Sequence, residues 1–201
     1  MNRKKFLSIA SIAAIISMTT TSFAKGVLLP TKEPEKKQKS KRTDKGFKVD
    51  AGKDRFDKNI SLFEGDTFST KVSTKDTDGD IFVFESVRLK NGGPALHYHF
   101  DQDEWWYVLK GEFLFKVGEE TFNLKAGDSI FGPCMVPHAF AKTNEGEAKL
   151  LMFFQPAGKM EAYFKAVSNG EMVNLSDKEK NDFKEAHGFK VIGPALTYYK
   201  G

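Results

Sequence analysis

From about residue 47 onward, apolar side chains come in short runs, often at alternate positions, broken by Gly, Pro, Asn and Asp. That period-two texture predicts strands over residues 60–63, 68–72, 81–89, 95–99, 104–109, 112–117, 121–124, 129–131, 139–142 and 149–154. Many short strands at this spacing predict an all-β sandwich or barrel. The pattern changes only late in the chain. Ser176, with Glu179 three residues on, is a capping-box start for a helix that runs to residue 186 or 187 and stops at Gly188. A second short helix is predicted over residues 159–167, and no internal repeat is evident.

The first 46 residues have a different texture. Arg3, Lys4 and Lys5 precede an apolar stretch over residues 6–18, and Ser22-Phe-Ala24 follows with small residues at the spacing of a signal-peptidase site. The apolar stretch is shorter than the ~20 residues that span a bilayer, so residues 1–24 read as a cleaved signal peptide and not as a stable membrane anchor. The mature protein is therefore expected to be exported, periplasmic or secreted in a bacterium. Residues 25–46 read as a disordered basic linker, because residues 30–45 offer no apolar side chain except two prolines.

Charge follows the same division. The chain's formal +4 conceals +5 in residues 25–46 and about −4 in residues 47–201. A mildly acidic folded domain gives no electrostatic case for nucleic acid as a partner. The single cysteine, Cys134, cannot form an internal disulfide and reads as a small side chain of no catalytic consequence. Asp76-Thr-Asp-Gly-Asp80 looks like the opening of a calcium loop, but Val87 stands where the twelfth-position Glu belongs, so the segment reads as a hairpin turn.

The chemistry lies between residues 91 and 144. His97 and His99 are two apart, and a strand places such a pair on one face. Residues 100–103 can turn the chain so that Glu104 comes back to the same side, and His138 enters another strand after Pro133 and Pro137. Three neutral imidazoles and one carboxylate around a divalent ion leave about one net positive charge and, if the ion is six-coordinate, two open positions. That is the pattern of a reactive metal site. His187, before Gly188 at a helix end, reads as structural or exposed.

The run Gly92-Gly-Pro-Ala-Leu-His97-Tyr-His99-Phe-Asp-Gln-Asp-Glu104, with Gly111 beyond six intervening residues, resembles the first cupin motif. Gly127-Asp-Ser-Ile-Phe-Gly-Pro133-Cys-Met-Val-Pro137-His138 resembles the second, after a short spacer of fifteen residues. Asn91 takes the usual place of the first glycine, Met135 replaces a glycine of the second motif, and Lys142 stands where an asparagine is expected, with Asn144 two residues on. None of these departures removes a ligand. The chain thus looks like a small bacterial single-domain cupin, similar to quercetin dioxygenases. The resemblance implies an all-β jelly roll (a double-stranded β-helix barrel) over residues 47–201, with a short C-terminal helical extension from about residue 157. It implies one divalent transition metal (Fe, Mn, Ni, Cu, Co or Zn) on His97, His99, Glu104 and His138, with Glu104 also catalytic as a base.

If Glu104 points inward, strand parity turns Trp106 inward too, and His138 carries Phe140 with it. Phe113, Phe115, Phe122 and Phe153 complete the expected lining of an apolar substrate pocket. Such a pocket suits a planar aromatic, flavonol-like or enolisable dione substrate and favours a metal-dependent dioxygenase. Oxygen-independent cupin chemistry (isomerase, lyase or sugar-modifying) and a non-catalytic small-ligand binder are the alternatives. The apolar stretch over residues 189–196 follows the expected end of the barrel, so it must cover a face or a partner; with the apolar outer faces of short cupins, this predicts a homodimer with each site built within one subunit.

Overall fold

The computed structural model describes residues 41–62 and 66–197. The expected signal peptide, most of the linker and Phe63 lie outside the described residues. Two antiparallel sheets make up the fold. The first contains β1 (Ile60–Ser61), β2 (Thr67–Val72), β3 (Phe82–Arg88), β5 (Asp103–Lys110), β8 (Ser129–Gly132) and β10 (Ala148–Gln155). Their order across the sheet is β1-β2-β3-β10-β5-β8. The second contains β4 (Ala95–His99), β6 (Glu112–Val117), β7 (Glu120–Lys125), β9 (His138–Lys142) and β11 (Phe189–Ala195), in the order β11-β4-β9-β6-β7. Helices α1 (Met160–Ser168) and α2 (Asp177–Ala186) follow β10. This is the jelly roll with a C-terminal helical extension that the sequence predicts. Among the described residues no helix is long and apolar enough to cross a membrane.

Alternation decides which side chains fill the barrel. Phe82, Phe84, Ser86 and Arg88 of β3 are buried while Val83, Glu85 and Val87 are more accessible; β5 buries Glu104, Trp106 and Val108, and β10 buries Ala148, Leu150, Met152 and Phe154. Register then sets these positions side by side: Met152 is opposite both Phe84 and Trp106, and Phe154 is opposite both Phe82 and Glu104. Phe68, Phe82, Phe84, Phe154 and Phe164 form a continuous ring cluster with centroid separations of 4.5–6.5 Å. Such stacked, tilted and edge contacts add to the apolar burial itself.

Three segments depart from expectation. Residues 74–77 form a 3₁₀ turn instead of a tight hairpin, because Ser73 and Asp76 make a reciprocal capping box, and Asp78 closes the turn at φ 55°. The end of the linker docks on this turn: Thr43 N donates to Asp76 O at 3.1 Å, Lys41 N to Asp78 Oδ2 at 3.1 Å, and Arg42 pairs with Asp80. The folded unit therefore begins earlier than residue 47. The C-terminal apolar stretch is a strand of the barrel itself: β11 pairs with the edge of β4, placing Phe189 opposite His99 and Val191 opposite His97. It closes an edge within the chain, which removes the need for a partner to cover that stretch.

α1 is anchored through its buried Glu161. Its Oε2 accepts from Ser73 Oγ and Thr74 N, both at 2.8 Å, and Lys165 pairs with Oε1. Burial favours the neutral acid, but these donors together hold the carboxyl below its ordinary value of 4.5. A carboxyl depressed in the folded state contributes stability that is present above the unfolded pKa and lost as pH falls below about 4.5. Glu161→Ala is expected to cost about 2–3 kcal/mol at neutral pH, because it strands the buried Ser73 hydroxyl and a backbone donor. Thermal melts should show the variant's deficit shrinking on acidification below about pH 4.5; a deficit independent of pH would contradict this anchor. His187 lies at the end of α2, half-buried, with Nδ1–H donating to Phe183 O at 2.8 Å.

Candidate metal centre

β4 presents His97 and His99 from one face, β5 returns Glu104 to the same interior, and β9 adds His138 directly opposite His97 in the sheet register. One ligand atom from each of the four lies within 4.8 Å of all the others, a cluster of the size that a single ion needs. Ring centroids are 4.6 Å apart for His97 and His138, 5.3 Å for His99 and His138, and 5.2 Å for His97 and His99. Glu104 Oε2 is 3.2 Å from His99 Nε2 and 3.3 Å from His138 Nε2. The backbone orients two rings: Nδ1–H of His97 donates to Ala95 O at 2.7 Å and Nδ1–H of His138 to Val136 O at 3.0 Å. These backbone contacts turn the Nε2 edge of both rings toward the cluster, the edge that a metal would take.

The charges at the centre fit a cation. Glu104 is 3% exposed, and among the described residues no Lys or Arg pairs with it. Burial pushes its carboxyl up, but hydrogen bonds and charge from His138 and His99 outweigh this and hold it at about 2. Burial is also the largest influence on His97, reinforced by repulsion from His138 and His99, and lowers it to about 3. At neutral pH the centre therefore holds a carboxylate beside neutral His97. His99 Nδ1 is buried with no hydrogen-bond partner, and His138 Nε2 faces only the Glu104 carboxylate. An orphaned buried nitrogen and a buried carboxylate are costly unless a cation completes them, so these four residues fit a divalent metal.

Supporting contacts hold the loop between β4 and β5. Met135 N donates to His99 O, and Cys134 N to Asp103 Oδ1, both at 2.8 Å. Buried Gln102 donates from Nε2 to Ala157 O at 3.1 Å. It fits between Gly158 and Gly188, where an added Cβ would stand 2.0 Å and 3.0 Å from its amide. Sequence reasoning missed Gln102; its only signal is its place beside the ligands.

Residues 85–154 match the Cupin domain family, a stretch that contains all four clustered residues. This is a cupin domain. The chain is also similar to an uncharacterized protein of Methanocaldococcus jannaschii, at 33% identity over 61 residues, which is 30% of this chain and 49% of the relative. It is similar to polyketide synthase CurC of Streptomyces cyaneus, at 27% identity over 92 residues, 45% of this chain and 57% of that one. The chain thus spans about half the length of the curated relatives it matches. Among solved structures it resembles a predicted oxalate decarboxylase from Thermotoga maritima, with 19% identity, 49% of this chain and 90% of that chain covered, and a TM-score of 0.45.

The cupin interior opens on His97 and Glu104 through a cavity of about 770 Å³, bordered also by Phe140, Met152, Phe154 and Phe189 among others. Of the expected pocket residues, only Phe140 lines it. Trp106, Phe113 and Phe115 are buried in the barrel core, although Trp106 packs edge-on to His138 at 5.2 Å. Phe122 lies opposite Phe115 but on the edge strand β7, where it remains 37% exposed. Phe153 faces away from the barrel, beside Trp105 and Phe131 in a shallow outer groove, because β10 turns Met152 and Phe154 inward. The walls that sequence reasoning missed come from Met160, Tyr163, Phe164 and Val167 of α1 and from Phe189 and Val191 of β11. The i, i+3, i+4, i+7 spacing on α1 was the available signal.

Proposed function

We propose that this cupin is a metal-dependent dioxygenase acting on a small aromatic, flavonol-like or enolisable dione substrate. The observation that carries the reading is the predominantly apolar, aromatic-walled cavity ending at His97 and Glu104. His97, His99, Glu104 and His138 would hold the divalent ion. Such an ion, when bound, supplies Lewis acidity toward a substrate oxygen and electronic access to dioxygen.

The chain's own groups supply binding, orientation and proton handling. Phe140, Phe154 and Phe189 offer faces for a flat substrate and exclude water beside the ligands. Glu104, ionised at neutral pH, is placed to accept the proton of an enol or phenol as that group enters. Tyr163 also lines the cavity; burial pushes its phenol up to about 12, so it stays protonated as a hydrogen-bond donor.

The second reading keeps the same phenolic or diketone substrate class under an oxygen-independent reaction; similarity to a protein named as a polyketide synthase, CurC, supports a polyketide-like substrate for it. Oxygen uptake separates them. The metal-loaded protein, given a panel of flavonols and 1,3-diones, is expected to consume oxygen in step with substrate loss. Substrate loss without oxygen uptake would overturn the dioxygenase reading in favour of the second.

A further inference from the structure

The same cavity has a cationic side. Arg88, Lys90, Lys180 and Lys184 line it, against two acids, Asp66 and Glu104. Both acids face close neighbours: Asp66 Oδ2 is 2.6 Å from Arg88 Nη2, and Glu104 faces His99 and His138. Lys180 and Lys184 stand one turn apart on α2 and so share a face, next to Phe183, which packs against the core. Among the described residues, the hydrogen bond that Lys184 Nζ makes is to Asn181 Oδ1, at 3.3 Å, and no carboxylate lies within 4.0 Å of it. Lys180 is 4.0 Å from the fully exposed carboxylate of Asp177, a separation at which solvent screens the pair. Two ammonium groups thus border an apolar cavity with little local compensation.

We propose that the cavity takes an amphipathic anion: an aromatic or diketone body lodged against Phe140, Phe154 and Phe189, carrying an anionic group that Lys180 and Lys184 receive. This rests on reading the cavity as the substrate site, and it narrows the substrate class. Apolar walls alone bind a neutral body and its anionic analogue without favouring the anion; the lysine pair adds attraction at the partly wet mouth, where the effective dielectric is well below that of bulk water.

The test uses two dyes with the same aromatic body and the metal-free full chain. One is 1-anilinonaphthalene-8-sulfonate, and the other is neutral N-phenyl-1-naphthylamine. Wild type is expected to bind the sulfonate about tenfold more tightly than the neutral dye, at one site per chain. K180Q/K184Q should abolish that preference and leave the neutral dye within about twofold. K178Q/K190Q, which removes the same charge from outside the cavity, should leave both affinities unchanged. Equal binding of the two dyes to wild type, equal loss of both in K180Q/K184Q, or equal loss of sulfonate affinity in the two double variants would each overturn the proposal. The dyes need neither metal nor turnover. A protein that shows the preference but consumes no oxygen keeps this inference and loses the dioxygenase reading.

Discussion

Glu104→Gln is expected to lower divalent-metal affinity at least tenfold, and turnover on any substrate found in the panel by about 10²–10³. The amide is nearly isosteric and its oxygen can still accept from His99 Nε2 at the observed 3.2 Å. What it loses is the negative charge that balances a cation among three imidazoles, and the base placed at the end of the cavity. Folding should be nearly unaffected: a loss of about 1 kcal/mol in the metal-free protein corresponds to a Tm shift of a few degrees for a chain of this size. Competition against a metal-sensitive chelating dye, with a thermal melt of the metal-free form, separates the two effects. A variant that keeps wild-type metal affinity and turnover would exclude both roles for Glu104.

Gly93→Ala is expected to be among the most damaging single-methyl changes in the domain. A Cβ at residue 93 would lie 1.8 Å from Phe140 O, 2.8 Å from Phe140 C and 3.3 Å from Ala141 Cα. These are backbone atoms of β9, which is paired on both sides by β4 and β6 and carries His138. Neither side of the clash can yield cheaply. Either the 90–94 loop lifts off its bridge between Gly92 and Lys142, or β9 shifts and carries His138 with it. The expected cost is about 3 kcal/mol or more, a fall in Tm of roughly 10 °C, with weakened metal binding. Gly92→Ala is the control. That residue sits at φ 104° with nothing within 4 Å of an added Cβ, so it suffers backbone strain alone, about 1–2 kcal/mol. Equal melting temperatures for the two variants would contradict the close approach at Gly93.

The strands were legible in the sequence because most of them bury one face, and alternation shows where such a face begins and ends. Glu104 fixed the parity of β5: a carboxylate in an apolar run belongs on the side that can satisfy it, and Trp106 followed inward. β10 offers no such marker. Leu150, Leu151, Met152, Phe153 and Phe154 are apolar on both faces, so which of Phe153 and Phe154 enters the barrel depends on pairing with β3 and β5. The partner of residues 189–195 was equally hidden. Pro194 marks an edge strand, but which edge it meets is a tertiary fact. The four clustered ligand candidates were readable because short-range spacing alone brings three of them together. The spacing on α1 marked an apolar face, but its place at the cavity, like that of β11, was not readable, since both reach the neighbourhood of β4 from more than 60 residues beyond that strand.

The central claim is that His97, His99, Glu104 and His138 bind one divalent metal. The most direct test is elemental analysis of the full chain after metal stripping, reloading with Mn, Fe, Co, Ni, Cu or Zn in turn, and desalting. The protein should retain close to one ion per chain for at least one of these metals, and a variant with His97, His99 and His138 all changed to Ala should retain none while keeping its β-sheet circular dichroism. A wild-type protein that retains no more metal than the folded triple variant would contradict the account.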